Sequence, residues 1–204
     1  MFAENGLYYP VLTLLLASLV IMGSPGPSTI SATAMGVAYG FRRSLGYVSG
    51  LIVGTVMVLL AVAVGVVAVL LSVPHGALVL TVVSAVYILY LAFKIATAPP
   101  LSRSDDAAAA PAFSGGFLLA VANPKAYLAI AAVFAGVSLF QDRQLLDATV
   151  KIALLTAMII AIHMIWLLVG ASLSRFLQHP TVSRIVNISL AILLIVATIV
   201  AVLE

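Results

Sequence analysis

Two short polar segments lie inside stretches of sequence that are otherwise apolar, and each combines helix-breaking residues with hydrogen-bonding side chains. Proline removes a backbone donor and clashes with the preceding helical turn, while glycine permits dihedral angles that other residues avoid. Both segments are therefore predicted to interrupt a helix and to expose backbone groups to a solute. The first runs Ser24-Pro25-Gly26-Pro27-Ser28-Thr29, and the second runs Asn123-Pro124-Lys125.

Interrupted helices offer charge of both signs to a ligand. A helix N-terminus exposes N–H groups with partial positive charge, and a C-terminus exposes carbonyls with partial negative charge. The helices that resume near Ser28 and Lys125 would direct their positive ends at a carboxylate. Lys125 and the hydroxyls of Ser28 and Thr29 would add donors. The preceding helices would end near 23–24 and 122–123 and present carbonyls to an ammonium group. The pattern predicts a binding site for a zwitterion such as an amino acid.

A simple proline kink is the alternative interpretation of each segment. Such kinks are common in membrane helices and need have no transport role. The two segments occupy matching positions in the two halves of the chain, and both are flanked by polar residues. Paired broken helices mark the binding site in many secondary transporters, so the pair favours a functional interpretation.

The composition places the chain in a membrane. Of 204 residues, 64% are hydrophobic and 7% are charged, whereas soluble domains have roughly 45–50% apolar and about 25% charged residues. A dispersed net charge of +3 does not indicate a nucleic-acid partner. The chain has no cysteine, which excludes disulfides and thiolate metal sites. No metal or other cofactor is predicted, and the apolar stretches lack the paired acids or nucleophile–base pairs of an enzyme.

Six helical spans are predicted from the windows that lack charged residues, because a helix needs about 20 apolar residues to cross a membrane. Barrel strands alternate in polarity, and these runs do not. The N-terminal stretch lacks the basic start and small-residue end of a leader, so it is predicted to be a retained span. The predicted spans are 8–40 (interrupted), 44–72, 77–98, 113–140 (interrupted), 148–173 and 181–203.

A linker divides the chain into halves of three spans each. Residues 99–112 are rich in proline, serine and alanine, which suits a flexible cytoplasmic linker between repeats at 1–98 and 113–204. Lys and Arg concentrate on the cytoplasmic side of membrane proteins. Six such residues fall on the linker side and two on the other, which predicts both termini to be periplasmic or extracellular. Three spans per half also predict inverted repeats. The six are Arg42, Arg43, Lys94, Arg103, Arg175 and Arg184, and the two are Arg143 and Lys151.

Two titratable side chains within predicted spans are candidates for proton coupling. Lys125 lies deep in the fourth span, where a charge costs about 3 kcal/mol or more at the membrane centre and is by default a functional hypothesis. Its alternative role is to extend towards the cytoplasm. His163 could relay protons or could bond a neighbouring helix as a neutral imidazole.

Three glycines follow one another at intervals of four residues in the second predicted span. Small residues at this spacing let helices approach closely. Gly46, Gly50 and Gly54 are therefore predicted to pack against another helix, either within the chain or across a homodimer.

Several motifs, in their order and spacing, resemble the LysE/RhtB family of amino-acid exporters over nearly the whole chain. The N-terminal motifs are Pro25-Gly26-Pro27, Gly40-Phe-Arg-Arg-Ser-Leu-Gly46 and Gly50-Leu-Ile-Val-Gly54, and the later ones are Tyr87-Ile-Leu-Tyr-Leu-Ala-Phe-Lys94 and Gly116-Phe-Leu-Leu-Ala-Val-Ala-Asn-Pro-Lys-Ala126.

This resemblance implies a multi-pass exporter of the bacterial inner membrane that moves amino acids or close derivatives and is driven by protons as an antiporter. Its partners would be an amino-acid substrate, protons and membrane lipid. Some family members carry an acidic residue just after the second-span glycines, where this chain has Thr55. No Asp or Glu falls within the apolar core of a predicted span, which favours a neutral amino acid over a dibasic one. The alternatives are an oligomeric channel and an exporter of another small solute or ion.

Overall fold

The computed structural model describes residues 7–65, 76–97, 111–174 and 180–203, and every regular element within these ranges is a helix. The helices are α1 (Tyr8–Ile21), α2 (Pro27–Ala63), α3 (Gly76–Ala96), α4 (Phe113–Ala122), α5 (Pro124–Gly136), α6 (Gln144–Ser174) and α7 (Pro180–Leu203).

Two of the described helices are long and apolar enough to cross a membrane by length and composition. They are Pro27–Ala63 and the Gln144–Leu173 part of α6, and the pair α4 and α5 forms a third candidate span that is bent by 63°. Large apolar side chains such as Leu128 and Ile165 are exposed on the helix surfaces, as lipid contact requires. The predicted all-α membrane fold is confirmed at this level, and the arrangement of six spans in two inverted repeats stays a prediction.

Helix α2 forms the centre of the fold. Every residue from Pro27 to Tyr39 is buried, and most of them are serine, threonine, alanine or glycine. Such small side chains allow neighbouring helices to approach closely. The main neighbours of α2 are α6 and α4, so the central helix of the first predicted repeat packs chiefly on helices of the second.

A single residue, Gly40, divides α2 into two helical segments. Its φ of 74° and ψ of 174° lie in a region that L side chains rarely adopt, which explains a glycine here. The hydroxyl of Ser44 lies 2.8 Å from the carbonyl oxygen of Met35 and 2.7 Å from that of Gly40, so it can satisfy carbonyls freed by the interruption. The residues between the first two predicted spans, 41–43, are helical and directly follow this interruption.

Glycines bring α2 into direct backbone contact with α4. A methyl group at Gly50 would collide with the carbonyl of Phe113, and one at Gly116 would collide with the carbonyl of Tyr47. At Gly54 a methyl group would lie 2.8 Å from the carbonyl oxygen of Phe117. Gly50 and Gly54 therefore do pack within the chain.

Gly46 does not take part in this contact. It is exposed, and a Cβ at this position would have no heavy atom of the described chain within 4 Å. Gly46 thus makes no close contact with another described helix, and its predicted packing, within the chain or across a homodimer, stays a prediction.

A second close contact joins the first segment of α2 to α6. A methyl group at Gly36 would lie 2.6 Å from the carbonyl oxygen of Leu167, and one at Gly170 would collide with the carbonyl of Thr33. The hydroxyl of Thr33 also donates a 3.2 Å hydrogen bond to the carbonyl of Trp166. This segment of α2 is thus held against the middle of α6.

Some predicted boundaries lie outside the described residues, among them 66–72 of the second span and 99–110 of the linker. Three boundaries that can be compared differ from the prediction by more than two residues. Helix α2 ends at Ala63, inside the predicted span 44–72, α5 ends at Gly136 instead of 140, and α6 begins at Gln144 instead of 148. The last two shifts involve an ion pair at the start of α6 that is described below.

Candidate functional site

Both polar segments interrupt helices where the sequence predicts. Helix α1 ends at Ile21 and α2 begins at Pro27, while α4 ends at Ala122 and α5 begins at Pro124. Proline is favoured at the first position of a helix because its missing N–H has no partner there and its φ is already helical. We refer to residues 22–26 as the first break and to Asn123 as the second break.

Thr29 shapes the first break through local hydrogen bonds. Its hydroxyl accepts a 2.9 Å bond from the backbone N–H of Gly26 and lies 3.1 Å from the carbonyl oxygen of the same residue. A side chain three residues into a helix that bonds back to the residue before it fixes the angle at which the chain enters. Thr29, which the sequence offers as a donor to a carboxylate, thus forms part of the frame of the break.

The two breaks are joined directly by side chains. The side-chain amide of Asn123 donates a 2.9 Å hydrogen bond to the hydroxyl of Ser28. The ammonium of Lys125 donates to the hydroxyl of Ser24 at 2.8 Å and to the carbonyl of Pro25 at 2.6 Å. The structure therefore brings the two predicted segments together.

Gly26 makes room for the Lys125 side chain. A Cβ at this position would lie 2.9 Å from Cδ of Lys125 and 3.1 Å from its Nζ. Its φ of −169° is extended backbone that any residue adopts, so the need for glycine is one of space rather than of dihedral angle. A larger residue would therefore require the Lys125 side chain to shift.

The carbonyls at the end of α1 already accept hydrogen bonds. The indole N–H of Trp166 donates to the carbonyl of Gly23 at 3.1 Å, and Lys125 occupies that of Pro25. At the end of α4, the hydroxyl of Tyr127 donates to the carbonyl of Val121 at 2.9 Å. Three side chains of the chain itself thus bind carbonyls at or beside the helix ends, and the carbonyl of Gly23 is the one of these three that lies at the predicted positions 23–24 and 122–123.

A cavity lies beside the two breaks. Its volume is about 450 Å³ including its solvent-open part, which lies in the range typical of sites for small molecules. The lining residues come from α1, α2, α5 and α6 and the breaks, and those with polar side chains are Ser24, Ser28, Thr29, Thr55, Asn123, Lys125 and His163.

His163 reaches this cavity from the middle of α6. It is 4% exposed, and its Nδ1 lies 2.8 Å from the carbonyl oxygen of Ile159. Because a carbonyl can only accept, Nδ1 carries the proton of this bond and Nε2 of the neutral ring is an acceptor. Nε2 has no hydrogen-bond partner among the described residues, and the same is true of Oδ1 of Asn123.

Comparison with known proteins assigns the chain to a family of transporters. The family model described as LysE type translocator matches residues 19–204. The chain belongs to this family. It is therefore a membrane transporter and not an enzyme, which confirms both the predicted resemblance and the predicted lack of enzymatic activity.

Several curated proteins resemble this LysE-type translocator. A "Cysteine/O-acetylserine efflux protein" of Escherichia coli O139:H28 (strain E24377A / ETEC) is 33% identical over 181 residues, which cover 87% of this chain and 90% of the relative. Proteins of the same description from Escherichia coli (strain K12) and Salmonella typhimurium are 32% identical, and these alignments also cover 87% of this chain and 90% of each relative. No solved structure matches the chain significantly.

The translocator also contains a buried ion pair that the sequence analysis missed. Lys151 lies 2.7 Å from the carboxylate of Asp147, and both side chains are largely buried. The Lys151 ammonium also donates to the carbonyls of Phe134 at 2.8 Å and Val137 at 3.0 Å. The pair thus satisfies the open C-terminus of α5.

Asp147 completes the connection from the other side. Its carboxylate accepts hydrogen bonds from the backbone N–H groups of Leu139 and Phe140, in the loop that leads from α5 to α6. From the sequence, Lys151 counts as a loop charge on the side opposite the linker. An aspartate four residues before a lysine at the start of a helix was the signal available for this pair.

Proposed function

We propose that this LysE-type translocator exports a small neutral amino acid or a close derivative across the bacterial inner membrane, in exchange for protons. The observation that supports this most is the junction of the two breaks beside a cavity, where Lys125 and His163 both lie. The curated relatives are described as efflux proteins for cysteine and O-acetylserine, which are amino acids with short uncharged side chains.

The second break is suited to the carboxylate of such a substrate. Helix α5 begins at Pro124, so the positive end of its dipole lies at the second break, where the N–H of Ala126 bonds to the carbonyl of Asn123. Lys125 adds a full positive charge in the first turn. A carboxylate that enters the cavity can therefore draw Lys125 away from the carbonyl of Pro25, which loosens the connection between the breaks. In this way substrate binding would change the contact that joins the two helices.

The charge of the cavity favours a neutral amino acid. Among the described residues that line it, Lys125 is the one charged side chain, and none is an aspartate or glutamate. Thr55 lies in the wall, and its hydroxyl is committed to the carbonyl of Leu51 at 2.7 Å. A second positive charge on a dibasic substrate would meet no counter-charge in the cavity, and unpaired charges in a low-dielectric site are strongly disfavoured.

The position of the cavity is consistent with a carrier that alternates between two open states. The cavity of about 450 Å³, which includes a solvent-open part, lies beside both breaks. We propose six spans in two inverted repeats, 1–98 and 113–204, joined by a cytoplasmic linker at 99–112, with both termini on the periplasmic side. In such carriers the substrate site lies at paired broken helices, which alternately face the two sides. Lys125 and His163 are the candidates for proton coupling.

Counterflow in proteoliposomes tests this proposal. Purified protein is reconstituted with a panel of unlabelled amino acids inside, and uptake of the labelled compound is measured with and without a pH gradient. A carrier for neutral amino acids gives counterflow with cysteine, O-acetylserine or a similar compound and little with lysine. Downhill flux without any stimulation by substrate on the far side would instead indicate a channel. No flux with any amino acid would refute the proposal.

A further inference from the structure

We infer that the substrate's ammonium group binds between Oδ1 of Asn123 and Nε2 of His163, and that a proton replaces it at Nε2 when the site is empty. This inference rests on the proposed export of a zwitterion. It differs from the expectation based on helix ends, which placed the ammonium against backbone carbonyls at the breaks.

The backbone carbonyls are poor candidates because side chains of the protein already bind them. Trp166 occupies the carbonyl of Gly23, and Lys125 occupies that of Pro25. A substrate ammonium at these carbonyls would have to share each of them with an indole or another ammonium. Acceptors without a donor are the better site for a new donor.

Two such acceptors line the cavity. Asn123 and His163 are each 4% exposed, and Oδ1 of the first and Nε2 of the second lack partners among the described residues. The amide N–H₂ of Asn123 already donates to Ser28, which leaves Oδ1 as an acceptor. Nδ1 of His163 is held by the carbonyl of Ile159, which leaves the Nε2 lone pair.

Unsatisfied buried acceptors are uncommon, and each is destabilising unless something donates to it. A group that carries several N–H donors and a positive charge satisfies both acceptors at once, and an ammonium has three. The apolar remainder of the wall, which includes Ala129, Ile130 and Ile162, strengthens such bonds by excluding water.

The two ends of an α-amino acid then bind on either side of the second break. Its carboxylate lies towards the first turn of α5, which begins at Pro124 and contains Lys125. Its ammonium lies towards Asn123 and His163. Because Asn123 is the residue immediately before α5, it lies next to both the proposed carboxylate site and the proposed ammonium site.

The Nε2 atom can hold a proton or accept from an ammonium, but it cannot do both. A proton that enters from the outside occupies Nε2 after the substrate has left, and its release to the cytoplasm restores the acceptor for the next substrate. Among the described residues that line the cavity, Lys125 on α5 is the other titratable side chain, and no acid faces the imidazole. Each cycle then moves one proton inwards for one neutral zwitterion outwards, which carries one positive charge inwards.

The decisive variant is His163→Gln, because a glutamine amide keeps an acceptor but does not titrate. We expect counterflow of amino acids without a pH gradient to be weakened, since His163 belongs to the proposed ammonium site, and we expect a pH gradient to drive no further accumulation of substrate. Arg143→Ala, an exposed cation in the loop before α6, serves as the matched control and keeps both activities. Gradient-driven accumulation by His163→Gln at the wild-type level overturns the inference.

A substrate analogue provides a second test that needs no variant. The 2-hydroxy acid that corresponds to a transported amino acid keeps the carboxylate and side chain but lacks the ammonium. We expect the hydroxy acid to inhibit counterflow by the wild-type protein at least about tenfold more weakly than the unlabelled amino acid does. The loss of a hydrogen bond to a charged group predicts a difference of this size. Equal inhibition by both compounds overturns the ammonium site even if His163→Gln fails to fold. Absence of counterflow in the wild-type protein would instead refute the export function itself.

Discussion

Asn123 donates a 2.9 Å hydrogen bond to the hydroxyl of Ser28, although 95 positions of the chain separate the two residues. The bond connects the second break to the first turn of the helix that follows the first break. Together with the contact of Lys125 to Pro25, it makes the two breaks one unit. A solute that disturbs one break therefore acts on the other without any intervening element.

Lys125→Ala is expected to reduce efflux by at least about tenfold. The variant loses the hydrogen bonds of the Lys125 ammonium, and hydrogen bonds to a charged group are worth about 1.5–3 kcal/mol. The variant also loses the positive charge in the first turn of α5. Efflux from loaded cells and the amount of protein in the membrane are measured side by side. Arg143→Ala is the control for loss of an exposed cation. Normal efflux by Lys125→Ala would contradict a role of this lysine at the site.

Replacement of Pro25-Gly26-Pro27 by three alanines is expected to abolish efflux while the protein still reaches the membrane. Alanine is the best helix former, so the first break tends to close into a continuous helix. The single change Gly26→Ala tests the steric effect on Lys125 alone, since the added methyl group would lie 2.9 Å from Cδ of that lysine. Gly46→Ala, which adds a methyl group into open space, is the matched control. Unchanged transport by the triple-alanine variant is incompatible with the proposed site.

Gly50→Ala and Gly46→Ala are expected to affect stability in opposite directions, although they lie on one helix. The methyl group at Gly50 collides with the carbonyl of Phe113, and such overpacking costs typically about 1–3 kcal/mol. At Gly46 the added methyl meets nothing, and the higher helix propensity of alanine stabilises by up to about 1 kcal/mol. Thermal unfolding in detergent compares the two variants. A Gly50→Ala protein as stable as the wild type would show that α2 and α4 do not touch at this point.

Removing one partner of the Asp147–Lys151 pair is expected to destabilise the protein by about 3–5 kcal/mol, as for other buried pairs. Lys151→Met leaves the Asp147 carboxylate without its cation and frees the carbonyls of Phe134 and Val137. The double variant Asp147→Asn with Lys151→Met is expected to lose less than the sum of the single variants, since no unpaired charge remains. A double-mutant cycle on the unfolding free energy measures this coupling. Strict additivity would show that the two charges do not interact.

The positions of the breaks could be predicted because their causes are local. Proline and glycine impose their effects on the helix that contains them, so Pro27 and Pro124 begin helices as expected. That His163 shares a cavity with Lys125, in contrast, did not follow from any local pattern.

The partners of the break residues could not be predicted, because they depend on which helices meet in three dimensions. No local pattern indicates that Trp166 binds the carbonyl of Gly23, or that Lys125 lies across Gly26. The glycine spacing suggested a packing face, but only the structure distinguishes Gly50, which is in contact, from Gly46, which is open. Lys151 was misjudged for the same reason, since its charge is matched by Asp147 and by carbonyls of another helix.

The glycine contacts described above limit which parts of the protein can move relative to one another. Backbone pressed on backbone at Gly36 and Gly170 couples the early part of α2 to α6, and the contact of Gly50 with α4 couples its later part to a different helix. We therefore expect α2, α4 and α6 to stay together as a scaffold drawn from both halves of the sequence, while α1 and α5, which share none of these glycine contacts, can shift against it.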